Sequence, residues 1–225
     1  MNAPGKVEIA SATKRFQAKR DAILAAAADA INEQSAKGMT FADVARRVGL
    51  NTTSVTYYFK RKEDLAAAAF EQTLDRLEAM LEDAAREPTP EARVARYLNI
   101  NMERLARIRR GAERDFAILS DLRAMEDPIK RELLDRWRDV FRKTRALWGP
   151  AASRAETDLH GARAHVLLEN TFWLTAWLPR YEVDEYPRVE ARLMDVFRTG
   201  IAAPGEAWTP AMLDIEHDEP EPGRE

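Results

Sequence analysis

The chain has 225 residues, of which 45% are hydrophobic and 32% charged, with a net charge of -3 and no cysteine. These values exclude a disulfide framework and a cysteine-ligated metal site, and they argue against a protein that coats nucleic acid through a uniformly basic surface. No signal-peptide core and no run of about 18 apolar residues is present, so we expect a cytoplasmic protein without a membrane partner.

The N-terminal region divides into a polar stretch and a helical one. Residues 1–13 are small and polar with little periodicity, and we predict a disordered leader there. From Lys14 to about Gln34, apolar residues recur at helical spacing. This periodicity predicts an amphipathic first helix that braces the segment after it.

The segment 40–62 has the pattern of two short helices joined by a tight turn. Thr40 is a typical N-cap residue, and Asp43 three positions later gives a start similar to a capping box. Gly49 supplies the left-handed residue that ends such a helix, and Asn51 caps the next one. We interpret the segment as a helix-turn-helix that reads DNA.

The second of these short helices, predicted over residues 52–58, separates its apolar and polar side chains. At about 100° per residue, Val55 and Phe59 lie on one side, whereas Thr53 and Tyr57 point to the other. Lys and Arg also outnumber Asp and Glu between residues 15 and 62. Exposed hydroxyl groups beside cations suit phosphate oxygens and base edges, although an ordinary solvated helical hairpin gives the same pattern.

Three short stretches carry a family resemblance. Gly49-Leu50-Asn51, the run Ser54-Val55-Thr56-Tyr57-Tyr58-Phe59, and Lys62-Glu63-Asp64-Leu65 resemble the N-terminal signature of the tetracycline-repressor (TetR) family of bacterial transcription regulators. The chain departs from the signature at three positions. Many members have glycine where this chain has Thr53, tyrosine where it has Thr56, and a small N-cap residue where it has Arg61.

The resemblance implies a homodimer, most often a repressor, that binds a palindromic double-stranded DNA operator and leaves it when a small-molecule effector binds. It also implies an N-terminal DNA-binding domain of three helices, here residues 14–62. Within it we expect base or phosphate contacts from Thr40, Thr52, Thr53, Thr56, Tyr57, Tyr58 and Lys62.

The remainder of the chain has helical patterns throughout, including a short helix expected between Phe116 and Met125. We therefore predict an all-α fold in which residues 63–202 form a larger effector-binding and dimerisation domain, followed by an acidic, disordered tail over residues 203–225. The helix expected over 153–178 has apolar residues on two sides, which indicates burial against its own domain and against a partner chain.

A ligand site in the larger domain is predicted from polar and aromatic residues on apolar helix faces. A buried amide needs a hydrogen-bond partner, and aromatic rings can enclose a cavity, although both are more often ordinary core residues. The candidates are Tyr97, Asn101, Phe116, Trp137, Phe141, Asn170 and Trp173.

No pattern for catalysis is present. His160 and His165 are five residues apart, which does not place two metal ligands on one helix face, and no serine-elbow motif or cysteine nucleophile occurs. We predict no catalytic residues, no metal and no cofactor. Two alternatives remain open: a small-molecule-binding or catalytic helical dimer whose helix-turn-helix is merely structural, and an activator instead of a repressor.

Overall fold

The computed structural model describes the backbone of residues 4–199 and the side chains of residues 14–198, and its regular elements are all helical, as predicted. Three short 3-10 turns, Leu119–Ala124, Leu178–Arg180 and Val183–Glu185, accompany the α-helices. The α-helices are α1 (Pro4–Gly38), α2 (Phe41–Arg47), α3 (Thr52–Tyr58), α4 (Lys62–Ala84), α5 (Pro90–Arg109), α6 (Ile129–Ala146), α7 (Arg154–Trp177) and α8 (Tyr186–Thr199).

Helix α1 begins earlier than predicted. It starts at Pro4, within the stretch expected to be a disordered leader, so the structure differs from the prediction for residues 4–13. Proline suits the first turn of a helix, and no second proline follows before residue 88 to interrupt it. Residues 1–3 of the leader and the tail over 203–225 lie outside the described residues.

The end of α1 is marked by Ser35, which has φ 66° and ψ 163°. Only glycine adopts this region without strain, and Ser35 is the only non-glycine residue with positive φ in the described part of the chain. The regular helix therefore ends near Gln34, as the periodicity predicted. A short connection then leads through the fully buried Met39 into α2.

Helix α4 is the central element. Along its whole length it buries apolar side chains, among them Leu65, Phe70, Leu74 and Leu81, and it packs against α1, α5 and α6. A single continuous helix thus runs from the end of the helix-turn-helix into the core of the larger helical region, as the sequence pattern indicated.

The connection between α5 and α6 does not form the predicted helix between Phe116 and Met125. It has no regular secondary structure over residues 114–118, where Ile118 is extended, and then makes the 3-10 turn Leu119–Ala124. The backbone N–H groups of Ala117 and Ile118 donate to the Thr73 hydroxyl (3.0 Å) and the Asn32 amide oxygen (2.8 Å), respectively. Because tertiary partners take these donors, the local helix is not needed to satisfy them.

Helix α7 has apolar residues on opposite faces, as predicted. Leu167 and Leu174 are buried in the chain's own core, whereas Leu159, Val166 and Trp173 are 48%, 55% and 64% exposed. None of the helices within residues 4–199 combines the length and apolar character needed to cross a membrane.

Candidate nucleic-acid interface

The turn between α2 and α3 is held by hydrogen bonds at both helix ends. The Thr40 hydroxyl caps α2 by accepting from the Asp43 amide at 3.2 Å. Gly49 has φ 65°, and the Leu50 amide donates to the Ala45 carbonyl at 2.9 Å. Asn51 then caps α3 because its side-chain oxygen accepts from the Ser54 amide at 2.7 Å. The predicted caps and turn are confirmed, and they fix the angle at which α3 leaves α2.

Helix α3 is held to the core by one face and exposes the other. Val55 is completely buried and Phe59 is 6% exposed, whereas Thr52, Thr53 and Tyr57 are exposed. A seven-residue helix with three threonines is unstable alone, so its position depends on this apolar anchor. The polar face is therefore presented to the exterior on a fixed support.

The phenol of Tyr57 is 68% exposed but does not stand free of neighbours. Its ring makes edge contacts with Phe16 of α1 (centroids 6.4 Å apart) and with Tyr58 (5.4 Å), and Phe16 packs on Tyr58 at 4.7 Å. These three rings restrict the Tyr57 side chain before any partner binds, which lowers the entropy cost of using it as a contact.

A concave surface lies between α1 and α3 and encloses a volume of about 350 Å³. Sequence reasoning missed Lys19, an exposed cation of α1 that lines it. The excess of basic residues indicated cations near the motif, but only the packing of α1 against α3 shows which of them faces Tyr57. The lining residues are Lys19, Leu50, Asn51, Thr53, Ser54, Tyr57 and Tyr58.

Several predicted contact residues already have partners within the chain. The Thr40 hydroxyl donates to the Asp43 carboxylate at 2.6 Å, and the Thr56 hydroxyl donates to the Thr53 carbonyl at 2.9 Å. The Lys62 ammonium donates to the Lys37 carbonyl at 2.7 Å. Threonine oxygens can still accept hydrogen bonds, but Lys62 would have to share its ammonium group between Lys37 and a phosphate.

Acidic residues partly neutralise the cations around the motif. Arg47 donates to Glu33 at 2.9 Å, and this hydrogen bond lowers the pKa of Glu33. The Asp43 carboxylate accepts hydrogen bonds from Thr40 and Arg46. Both bonds lower the pKa of Asp43 below its usual range, and the bond from Thr40 has the larger effect. Both carboxylates are thus charged at neutral pH. Exposed cations whose side chains enter no ion pair within residues 14–198 remain near the motif, among them Lys19, Lys37 and Lys60.

In the larger helical region the structure brings together three of the predicted ligand residues. The Tyr97 hydroxyl shares a hydrogen bond of 2.9 Å with Thr171. Asn101 accepts from Arg104 at 3.1 Å, and the Arg104 guanidinium lies 3.8 Å from the centre of the Phe116 ring. Arg104 was missed because arginine normally indicates a solvated face; its spacing from Tyr97 and Asn101, at i, i+4 and i+7, could have revealed it.

The other four predicted ligand residues make no hydrogen bond or ring contact with this group within the described residues. Trp173 is 64% exposed on the outer face of α7, so it does not wall an internal cavity of this chain, contrary to the prediction. Phe141 of α6 packs against His165 with centroids 4.4 Å apart, and Trp137 is a half-buried residue at the edge of the core. Asn170 precedes Thr171 on α7 and has a buried side-chain oxygen.

Metal ligands are not clustered in the described residues, where no group of three or more His, Asp or Glu side chains could hold an ion. His160 is buried beside Trp148, with its Nε2 atom 3.8 Å from Glu156.

Comparison with known proteins places the motif in a family. Residues 23–69 match the family model described as bacterial regulatory proteins, tetR family. The HTH-type transcriptional regulator RutR of Escherichia coli K12 is 30% identical over 114 residues, which are 51% of this chain and 50% of RutR. The chain thus spans about half the length of the curated relatives it matches.

Solved structures share the helical arrangement over most of the chain. A TetR-family regulator from Bordetella parapertussis is 20% identical and superposes with a TM-score of 0.63, covering 81% of this chain and 95% of that one. PfmR from Thermus thermophilus is 16% identical and superposes with a TM-score of 0.61, covering 82% of this chain and 97% of PfmR. AibR, solved in complex with isovaleryl coenzyme A and operator DNA, is 15% identical and superposes with a TM-score of 0.59, covering 79% of this chain and 96% of AibR. Residues 23–69 thus match the TetR-family N-terminal domain, and the described helical arrangement is the fold of these solved regulators.

Proposed function

We propose that the chain is a DNA-binding transcriptional regulator whose helix α3 enters the major groove. The observation that carries this proposal is the division of α3 into a buried anchor, Val55 and Phe59, and an exposed polar face, Thr53 and Tyr57. An α-helix fits the major groove, and side chains on its outer face can reach base edges there. The similarity to the transcriptional regulator RutR over 114 residues supports the same role.

The residues around α3 form two groups, one proposed to contact the bases and the other the phosphate backbone of DNA. Thr53, Thr56 and Tyr57 are the proposed contacts to bases or to the adjoining sugar-phosphate surface. Thr40, Tyr58 and Lys62 are proposed phosphate contacts, and Thr52 is a further DNA contact in the first turn of α3. The exposed Lys19 is added to the phosphate contacts from its place on the concave surface.

A dimer would supply the second α3 that a palindromic site requires. Leu159, Val166 and Trp173 recur every seven residues on α7 and are about half exposed or more, and Val196 of α8 is 51% exposed. Four large apolar side chains on two helices support a second copy of this chain as the partner that covers them.

The dimer can be tested by placing positive charges on the exposed apolar face of α7. The double variant Val166→Lys, Trp173→Lys should sediment as a monomer at concentrations where the wild-type chain is a dimer. Arg154→Lys, at the exposed start of the same helix, is the control and should leave the dimer intact. A double variant that sediments as a dimer would overturn the assignment of this face.

The larger helical region, residues 63–202, is proposed to bind a small effector and to release DNA when it does. AibR, solved with both an acyl coenzyme A and operator DNA, supports this general arrangement for the fold. Release requires that the effector binds the DNA-incompetent conformation more tightly than the DNA-competent one.

Unbiased selection of bound sequences from random duplexes tests the proposed function. The wild-type chain should enrich an inverted repeat whose half-sites lie one or more helical turns apart. Failure to enrich any sequence would favour the alternative, a helical dimer that binds a small molecule or catalyses a reaction and whose helix-turn-helix is structural. Transcription from the selected site, measured with and without the chain, then separates repression from activation.

A further inference from the structure

Three buried polar atoms on α5 and α7 have no hydrogen-bond partner within the described residues. They are Asn101 Nδ2, Arg104 Nη2 and Asn170 Oδ1. Asn101 is completely buried and Arg104 is only 3% exposed. Native proteins rarely leave such atoms without a partner, and a guanidinium N–H is among the most costly to leave so.

The chemistry of the two unpartnered groups on α5 is fixed by their neighbours. Arg104 Nε donates to Asn101 Oδ1, and because a guanidinium cannot accept, the amide oxygen must face it. Arg104 Nη1 is likewise used by the Asp115 carboxylate at 2.9 Å. The remaining atoms, Asn101 Nδ2 and Arg104 Nη2, are therefore both donors, and they come from side chains in direct contact.

The surroundings of these donors are aromatic. The Phe116 ring covers the guanidinium at 3.8 Å, and Phe172 of α7 lies 6.4 Å from Phe116, centre to centre. Tyr97 does not offer a charge, because burial raises the pKa of its hydroxyl to about 12. A partner for the donors would thus present oxygen acceptors at one end and apolar surface at the other.

We propose that Asn101 Nδ2 and Arg104 Nη2 bind the carboxylate of a small organic acid whose apolar body lies against Phe116 and Phe172. A carboxylate offers two acceptor oxygens, one for each donor, and hydrogen bonds between it and a guanidinium are charge-assisted. Asp115 does not replace it, because Asp115 is 30% exposed and already occupies the other nitrogen of the guanidinium. The inference rests on the proposed role of this region in effector binding.

The same cluster connects to the DNA-reading face. Asp115 and Phe116 lie in the irregular segment before Leu119, which Asn32 of α1 holds through the Phe116 carbonyl (2.7 Å) and the Ile118 amide (2.8 Å). A carboxylate on Nη2 would share the Arg104 guanidinium with Asp115, and the weaker pair with Asp115 would shift this segment and, through Asn32, the helix that carries Phe16 and Lys19. Binding of the acid would thereby change the affinity for DNA.

The Asn101→Asp variant tests the site with a nearly isosteric change. It retains the oxygen that accepts from Arg104 Nε and converts the free donor into a negatively charged acceptor. Arg104→Lys keeps the charge beside Asp115 and removes Nη2. Asn99→Asp places the same charge on α5, at a half-buried residue whose amide contacts Arg96 and Glu190, and serves as the control.

The probes are acetate, butyrate, hexanoate and benzoate, each compared with its uncharged primary amide, and the readouts are the thermal midpoint and calorimetric affinity. At least one carboxylate should stabilise the wild-type chain and Asn99→Asp and bind about tenfold or more weakly to Asn101→Asp and Arg104→Lys. If no carboxylate binds the wild-type chain, or if all variants bind equally, the proposal is overturned.

The experiment also separates this proposal from the proposed function. Because the readouts require no DNA, carboxylate binding that depends on Asn101 and Arg104 would stand even if the sequence selection enriched nothing. Conversely, a chain that selects an inverted repeat but binds none of the acids would retain the proposed function and lose this site.

Discussion

The Asn32 side chain joins α1 to the irregular segment between α5 and α6, and its removal should measure that connection. Its amide group donates to the Phe116 carbonyl at 2.7 Å, and its oxygen accepts from the Ile118 amide at 2.8 Å. The Asn32→Ala variant deletes both hydrogen bonds and leaves the rest of the connection, including the Ala36 amide bonded to Asp121 at 2.7 Å, in place.

The expected cost follows from the burial of the two groups that lose a partner. Each hydrogen bond contributes about 1 kcal/mol net, and a group left unsatisfied in the interior costs more. Ile118 is 45% exposed, so its amide can find water, whereas Phe116 is only 3% exposed. We therefore expect Asn32→Ala to lower the free energy of unfolding by about 2 kcal/mol.

Urea denaturation followed by circular dichroism provides the assay, with Gln34→Ala as the control. Gln34 is an exposed residue of the same helix, and its replacement should change the free energy of unfolding by less than about 0.5 kcal/mol. If Asn32→Ala is no more destabilising than Gln34→Ala, the connection contributes nothing measurable, and the proposed route from Arg104 to α1 is refuted.

Three further predictions concern the stability of the described part of the chain. Ser35→Gly should raise the free energy of unfolding by about 1 kcal/mol, because Ser35 has a backbone conformation that only glycine adopts without strain; no gain in a denaturant titration would contradict this. Tyr97→Phe should lower it by about 1 kcal/mol, since only the hydrogen bond to Thr171 is lost; a loss no larger than that of an exposed substitution would show the bond to be unimportant. The lowered pKa of Asp43 means that its contribution to stability is present above the unfolded-state pKa and is lost as the pH falls through the folded one. Asp43→Asn should accordingly flatten the decline of stability below about pH 4, and an unchanged decline would exclude Asp43 as a source of it.

The helix-turn-helix could be predicted from the sequence because local chemistry determines it. Threonine and asparagine are favoured at helix N-caps, so Thr40 and Asn51 directly before helical periodicity predict two helix starts. Gly49 can end the first helix without strain. The period of the helix alone predicts that Val55 and Tyr57 lie on opposite faces. The structure confirms these features in residues 40–62.

Long-range partners explain what could not be predicted. The stretch from Phe116 to Met125 has helical periodicity, but its first three residues form no helix, since Asn32 and Thr73, both distant in sequence, take the amide groups of Ile118 and Ala117. Arg104 lies in the interior only because Asp115 and Asn101 accept its hydrogen bonds. Lys19 faces Tyr57 through the packing of α1 on α3, which no local pattern specifies.

The central claim is that the exposed face of α3 reads DNA sequence, and salt-titrated binding of Tyr57→Ala tests it most directly. We compare the wild type with Tyr57→Ala, Lys19→Ala and Arg86→Ala on the selected duplex and on random DNA. Arg86 lies beyond the far end of α4, a helix of 23 residues that is about 34 Å long. We expect Tyr57→Ala to lose affinity for the selected duplex mainly, Lys19→Ala to weaken both duplexes and to reduce the salt slope by about one, and Arg86→Ala to change neither. Equal losses of Tyr57→Ala on both duplexes would contradict the claim.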